Sequence, residues 1–161
     1  FQSALEQLTT LIAFDGVDLQ LQYEKTKSEY EASKSSADKV SVRINAIENV
    51  ADALFEEWHD EIEQYTNLSL QRQSEQQLKE TTQRYKRLII AMHRAESKMS
   101  PVLAALHDNM LYLKHNLNAN AIGALENEYR TIKKDIDILI KDMTSAIAES
   151  QTFIDSIKPN S

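Results

Sequence analysis

The stretch Ile44-Asn45-Ala46-Ile47-Glu48-Asn49-Val50-Ala51-Asp52-Ala53-Leu54-Phe55-Glu56-Glu57-Trp58 sets the period of the whole chain. Ile44, Ala51 and Trp58 stand seven residues apart, and the spacing extends outward to Tyr23, Tyr30 and Ala37 and to Tyr65. Leu19, Val40, Ile47 and Leu54 form a companion line. Steps of three and four place all of these on one side of a helix, and a sustained seven-residue repeat winds helices gently around each other.

Two further segments carry the same repeat. One runs through Leu78, Tyr85, Met92, Met99, Leu106 and Leu113, flanked by Ile89, Leu103, Met110 and Leu117. The other holds Ile122, Leu125, Tyr129, Ile132, Ile136, Leu139, Met143, Ala146, Phe153 and Ile157. Leu5, Leu8, Leu11 and Ile12 give a short leading piece. The punctuation agrees. Asp15-Gly16 ends the leading helix and Asp18 caps the next; Asn67 and Ser69, then Asn118 and Asn120, stand between the long segments; Pro159 stops the last. Pro101 lies inside an unbroken repeat, which predicts a kink rather than a new helix.

The expectation is an all-α, elongated, antiparallel coiled-coil-like bundle: one domain over residues 1–161, with helices near 2–14, 18–66, 69–117 and 120–158. Only two glycines and two prolines are present, far fewer than a β-rich or loop-rich chain uses in its turns. The first two long helices span about 70 Å each at ~1.5 Å per residue, and the short turn between them forces an antiparallel hairpin. Constant register then pairs Trp58 with Leu78, Ala51 with Tyr85 and Ile44 with Met92, and sets Ile47 opposite Ile89. Between Ile44 and Gln71 the charged residues are Glu48, Asp52, Glu56, Glu57, Asp60, Glu61 and Glu63, with no Lys or Arg. The returning helix carries Arg72, Lys79, Arg84, Lys86, Arg87, Arg94 and Lys98. Folding at Asn67 is expected to bring the two sets together.

A net charge of −7 disfavours nucleic-acid binding, which needs a basic surface. No long apolar run spans a membrane. Zero cysteines excludes disulfides and thiol chemistry. Phe1 opens inside a helical pattern, which reads as a truncated or processed N-terminus.

Catalytic and metal chemistry finds little footing. Glu56-Glu57-Trp58-His59 contains the E-x-x-H step of dimetal bundles, but only once, and Trp58 on the seam turns Glu56 and His59 towards the flank. Of the other histidines, His93, His107 and His115, the last two lie two turns apart and could share a face, yet no carboxylate sits one turn from both, so all three read as surface histidines. The tyrosines at seam positions read as core residues with hydroxyls at the rim. The expectation is no enzyme, no cofactor and no metal.

Residues 46–58, Ser74-Glu75-Gln76-Gln77-Leu78, Pro101-Val102-Leu103-Ala104-Ala105-Leu106 and Leu113-Lys114-His115-Asn116-Leu117-Asn118-Ala119 resemble a Gram-negative bacterial helical domain family of unknown function. Its members look like secreted lipoproteins. The resemblance implies a location in the periplasm or on the outer membrane, a lipid anchor upstream, and a further helix before Phe1. It brings no catalytic residues.

The functional expectation is a structural or protein–protein interaction module of the cell envelope, with a protein partner or self-association. The alternative is a periplasmic chaperone-like protein that grips unfolded clients. Phe55 and Ile62 read as an apolar edge outside the main seam, and Leu68 and Leu70 sit at the turn. These four are the candidate partner-binding residues, at a tip that the third long helix does not reach.

Overall fold

The computed structural model describes residues 1–12, 19–115 and 119–157. They form four helices, α1 (Gln2–Ile12), α2 (Leu19–Ile62), α3 (Leu68–His115) and α4 (Ala119–Ile157), packed as a helical bundle, with no strand among the described residues. Asp15-Gly16, Asp18, Asn118 and Pro159 lie outside the described residues. Pro101 sits inside α3, which runs unbroken through it.

The turn between α2 and α3 is built from side chains that complete the helix ends. Asn67 is the cap of α3: its Oδ1 accepts from the Ser69 and Leu70 amides at 2.9 and 3.2 Å. Its carbonyl accepts from the Gln71 amide at 3.0 Å. These bonds satisfy amides that the first turn of a helix leaves without partners. At the other side, the Gln71 side chain donates to the Ile62 carbonyl at 3.2 Å, holding the last turn of α2. Thus α2 ends at Ile62, one turn before the expected 66, and Ser69 lies within α3.

The chain divides into two compact units. Unit 1 comprises Phe1–Val40 and Ala95–Lys141, and draws on all four helices. Leu8, Leu11, Leu113, Ile136 and Leu139 are fully buried there. Two of its buried polar side chains are bonded: Gln7 donates to Gln22 at 3.0 Å, and the Asn109 amide donates to the Ala105 carbonyl at 2.7 Å. A bond of 2.9 Å between the Thr9 and Tyr129 hydroxyls and a tilted ring contact between Tyr30 and His107 complete the packing. Leu106, Leu113, Leu125 and Ile132, the residues the repeat assigns to the core, are all buried.

Unit 2 comprises Ser41–Arg94 and Asp142–Ser161, and draws on α2, α3 and α4 only. Ile44, Ala51 and Tyr85 are buried as the repeat requires; Leu88 and Ala91, which it did not assign, are buried with them, and Ile89 and Met92 are half-buried. The companion line on α2 is not the expected one. Ile47 and Leu54 are exposed, whereas Ile62 is buried and Phe55 half-buried. The reason is at the end of the helix. The inward positions can continue as Ile47, Leu54 and Glu61, or as Glu48, Phe55 and Ile62. The first choice would bury a carboxylate near the turn, and an unpaired buried charge costs far more than an exposed leucine. The second buries Phe55 and Ile62, and leaves Glu48 at the edge, where His93 meets it at 2.6 Å. The expected pairing of Ile47 with Ile89 across the seam is therefore replaced. The hairpin register survives within about a turn, as the contacts of Phe55 with Tyr85 and Trp58 with Ser74 show.

Gly123 lies inside α4, and a Cβ built on it would meet nothing within 4 Å. Glycine in a helix costs about 0.5–1 kcal/mol relative to alanine. Gly123→Ala should raise the thermal midpoint by a few degrees; a lowered midpoint would show that the backbone there needs the glycine.

Candidate interaction surface

The interior of unit 2 is organised by aromatic rings. Phe55 meets Tyr85 edge-on with ring centroids 5.4 Å apart, and Tyr85 meets Phe153 of α4 in the same manner at 6.3 Å. Edge-to-face rings contribute about 0.5–1.5 kcal/mol beyond their burial. Burial raises the pKa of the Tyr85 phenol, and the negative charges of Glu48 and Asp52 push it further the same way. Trp58 is half-buried, and its indole N–H donates to the buried Ser74 hydroxyl at 2.8 Å. The expected α3–α4 register, Phe153 at the level of Tyr85, is present.

Turning Phe55 and Ile62 inward leaves the adjacent side of α2 apolar and open. Ala46, Ile47, Val50 and Leu54 line a groove of about 850 Å³, shared with Trp58 and with residues of α3 and α4 that include Tyr85, Arg84 and Ile157. Val50 is 69 % exposed and Leu54 53 %. An apolar strip of this kind on a three-helix unit is the sort of surface that marks an interaction site. Arg84 stands at the α3 rim, 3.9 Å from Glu80.

The four candidate residues separate. Ile62 belongs to the core, while Phe55, half-buried against Tyr85, also lines the groove, so the two do not form one shared open edge. Leu68 and Leu70, at 66 % and 49 % exposed, do lie open at the start of α3, with the exposed Tyr65 beside them in the turn. The groove residues Ile47, Val50 and Leu54 were missed. Their signal was present in the quoted stretch, where Val50 and Leu54 stand one turn apart beside a complete seam.

The expected neutralisation of the acidic run is also corrected. Glu48 pairs with His93, but Glu56, Glu57, Asp60 and Glu61 are exposed, with no Lys or Arg of the described residues within 4 Å. Long exposed side chains gain little from pairing across a hydrated seam, so nothing holds them together. Among the described residues, no three His, Asp or Glu side chains converge where a metal could be held.

Fold and surface together define an all-helical bundle with an open apolar groove in one of its two units. Residues 1–157 match the family described as "Protein of unknown function (DUF2959)", and the chain belongs to that family. Neither a curated protein nor a solved structure matches it.

Replacing Trp58 by alanine removes a half-buried ring and strands the Ser74 hydroxyl. A loss of roughly 2–3 kcal/mol is expected in denaturant titration, below the ~3–5 kcal/mol of a fully buried tryptophan. An unchanged midpoint would show that the indole packs against nothing. Tyr85 predicts an alkaline effect. Its folded pKa lies above the ordinary value of about 10, so the stability it lends is complete below that value and is lost as pH rises through the folded pKa. Tyr85→Phe should therefore flatten the fall in stability above pH ~10. Parallel alkaline profiles for the two proteins would remove Tyr85 from that account.

Proposed function

We propose that this chain is a non-enzymatic protein-interaction module of the cell envelope, and that it docks a protein partner along the open side of α2 in unit 2. The observation that carries this reading is the apolar strip of Ile47, Val50 and Leu54, exposed on a helix that buries Ile44, Ala51 and Ile62. The exposed Tyr65, Leu68 and Leu70 at the turn extend the apolar surface available to a partner. The envelope location rests on the resemblance of residues 46–58, 74–78, 101–106 and 113–119 to a family whose members look like secreted lipoproteins. Among the described residues no helix is long and apolar enough to cross a membrane.

A photo-reactive residue at Leu54, and separately at Leu68, would test this in envelope preparations from the native host. One dominant adduct of defined mass is expected from Leu54, and Val50→Asp should abolish it. A smear of unrelated adducts, together with suppression of client aggregation by the purified chain, would instead establish chaperone-like holding. No adduct at either position would leave the groove without a protein partner and refute the proposal.

A further inference from the structure

The open strip on α2 has an order of charges that suits one occupant above others. Arg43, Val50 and Glu57 recur every seven residues along its centre, with Ala46 and Leu54 beside Val50. All five are exposed. The strip thus reads cation, small apolar, Val50, large apolar, anion. Reversed end for end it is its own complement.

We infer that the Arg43–Glu57 strip of α2 binds the same strip of a second copy of this chain, antiparallel, about a twofold axis at Val50. The inference deepens the reading of unit 2 as a protein-docking module, and rests on it, by naming the partner. A twofold interface requires a self-complementary surface, in which residue i meets j and j meets i. In the antiparallel register Val50 meets Val50 of the other copy. Leu54 lies opposite Ala46 and Ile47 opposite Ala53, so a large residue faces a small one in each of these layers, as interdigitated helices require. Arg43 lies opposite Glu57 at both ends. The seven-residue spacing keeps the two strips in contact over the whole length.

The charges also select against the alternatives. A parallel pairing would set Arg43 against Arg43 and Glu57 against Glu57, which is unfavourable at both ends. Among the described residues neither Arg43 nor Glu57 has a competing partner. Among the described residues no opposite charge lies within 4 Å of Arg43 or Glu57, and the nearest charges along the helix, Lys39 for Arg43 and Asp60 and Glu61 for Glu57, are of like sign. Bringing each next to the opposite charge of a second copy relieves both clusters. Occupation of the strip would also cover Ile47, Val50 and Leu54, whose exposure nothing else in unit 2 relieves.

Sedimentation of the purified chain over a concentration series measures this directly. A monomer–dimer equilibrium is expected, and Val50→Asp should weaken it at least about tenfold by placing two carboxylates on the axis. Arg43→Glu alone and Glu57→Arg alone should each weaken it to a similar degree, since each puts like charges together at both ends. The double variant Arg43→Glu/Glu57→Arg should restore the dimer. All three positions are exposed in the monomer, and circular dichroism would confirm that the fold is unaltered. As an independent measurement, the chain has no cysteine of its own, so engineered thiols report proximity cleanly. Val50→Cys should cross-link to itself on mild oxidation. Leu54→Cys should cross-link with Ala46→Cys in a mixture, but not with itself. A wild-type monomer throughout, a dimer insensitive to the charge reversals, or failure of the double variant to restore it would each overturn the self-pairing. A monomer that still gives a single partner adduct at Leu54 would overturn the self-pairing alone and leave the docking module standing.

Discussion

A helix with apolar residues on two adjacent sides must turn one of them to the core, and on α2 the carboxylate of Glu61 settles which. The side that carries Ile47 and Leu54 leads into Glu61 at the last turn, and the side that carries Phe55 leads into Ile62. Burying the latter avoids an unpaired charge beside the turn. Three consequences follow. Phe55 reaches Tyr85, Tyr85 reaches Phe153, and α4 is thereby fixed against the hairpin in unit 2. Glu48 falls at the edge of the seam, within reach of His93. Ile47, Val50 and Leu54 are left facing solvent.

The two units differ in how fully they close. In unit 1, α1 supplies Leu5, Leu8 and Leu11 to the core, and the deepest side chains of the chain are found there. Unit 2 has segments of three helices, and Ile44 is the largest residue it buries completely. A three-segment unit has less apolar surface inside and more at its boundary. The groove is a product of that shortfall, so the interaction reading and the fold have one physical origin.

Much of this was legible in the residues. The seven-residue series through Ile44, Ala51 and Tyr85 is a strong signal because it repeats over many turns, and it placed four helices, their order and, to within about a turn, the hairpin register. Asn67 was readable as a break because its side chain competes for backbone amides. The side of α2 that would turn inward was harder to read. Ile47 with Leu54 and Phe55 with Ile62 have equal spacing, and periodicity alone cannot rank two equally spaced lines. What separates them is the residue that each line reaches at its end, Glu61 or Ile62. The candidate site suffered from the same ambiguity: Leu68 and Leu70 do lie exposed at the turn, while Ile62 takes the inward place expected of Ile47 and Leu54, and Phe55, half-buried, lines the groove beside them. The acidic run was read as half of a set of ion pairs, but opposite charge on neighbouring helices does not ensure contact when side chains are long and hydrated.

The position of Trp58 has a practical side. It is the only tryptophan in the chain and belongs to unit 2, where its indole is tied to Ser74. Tryptophan fluorescence, excited selectively over the tyrosines, therefore watches that unit alone, whereas far-ultraviolet ellipticity sums the helices of both. Superimposable transitions from the two signals would mark the chain as a single cooperative body, and an earlier fluorescence transition would mark unit 2 as the part that melts first. The molecule thus carries an optical label, without any engineering, for the unit that holds the open groove.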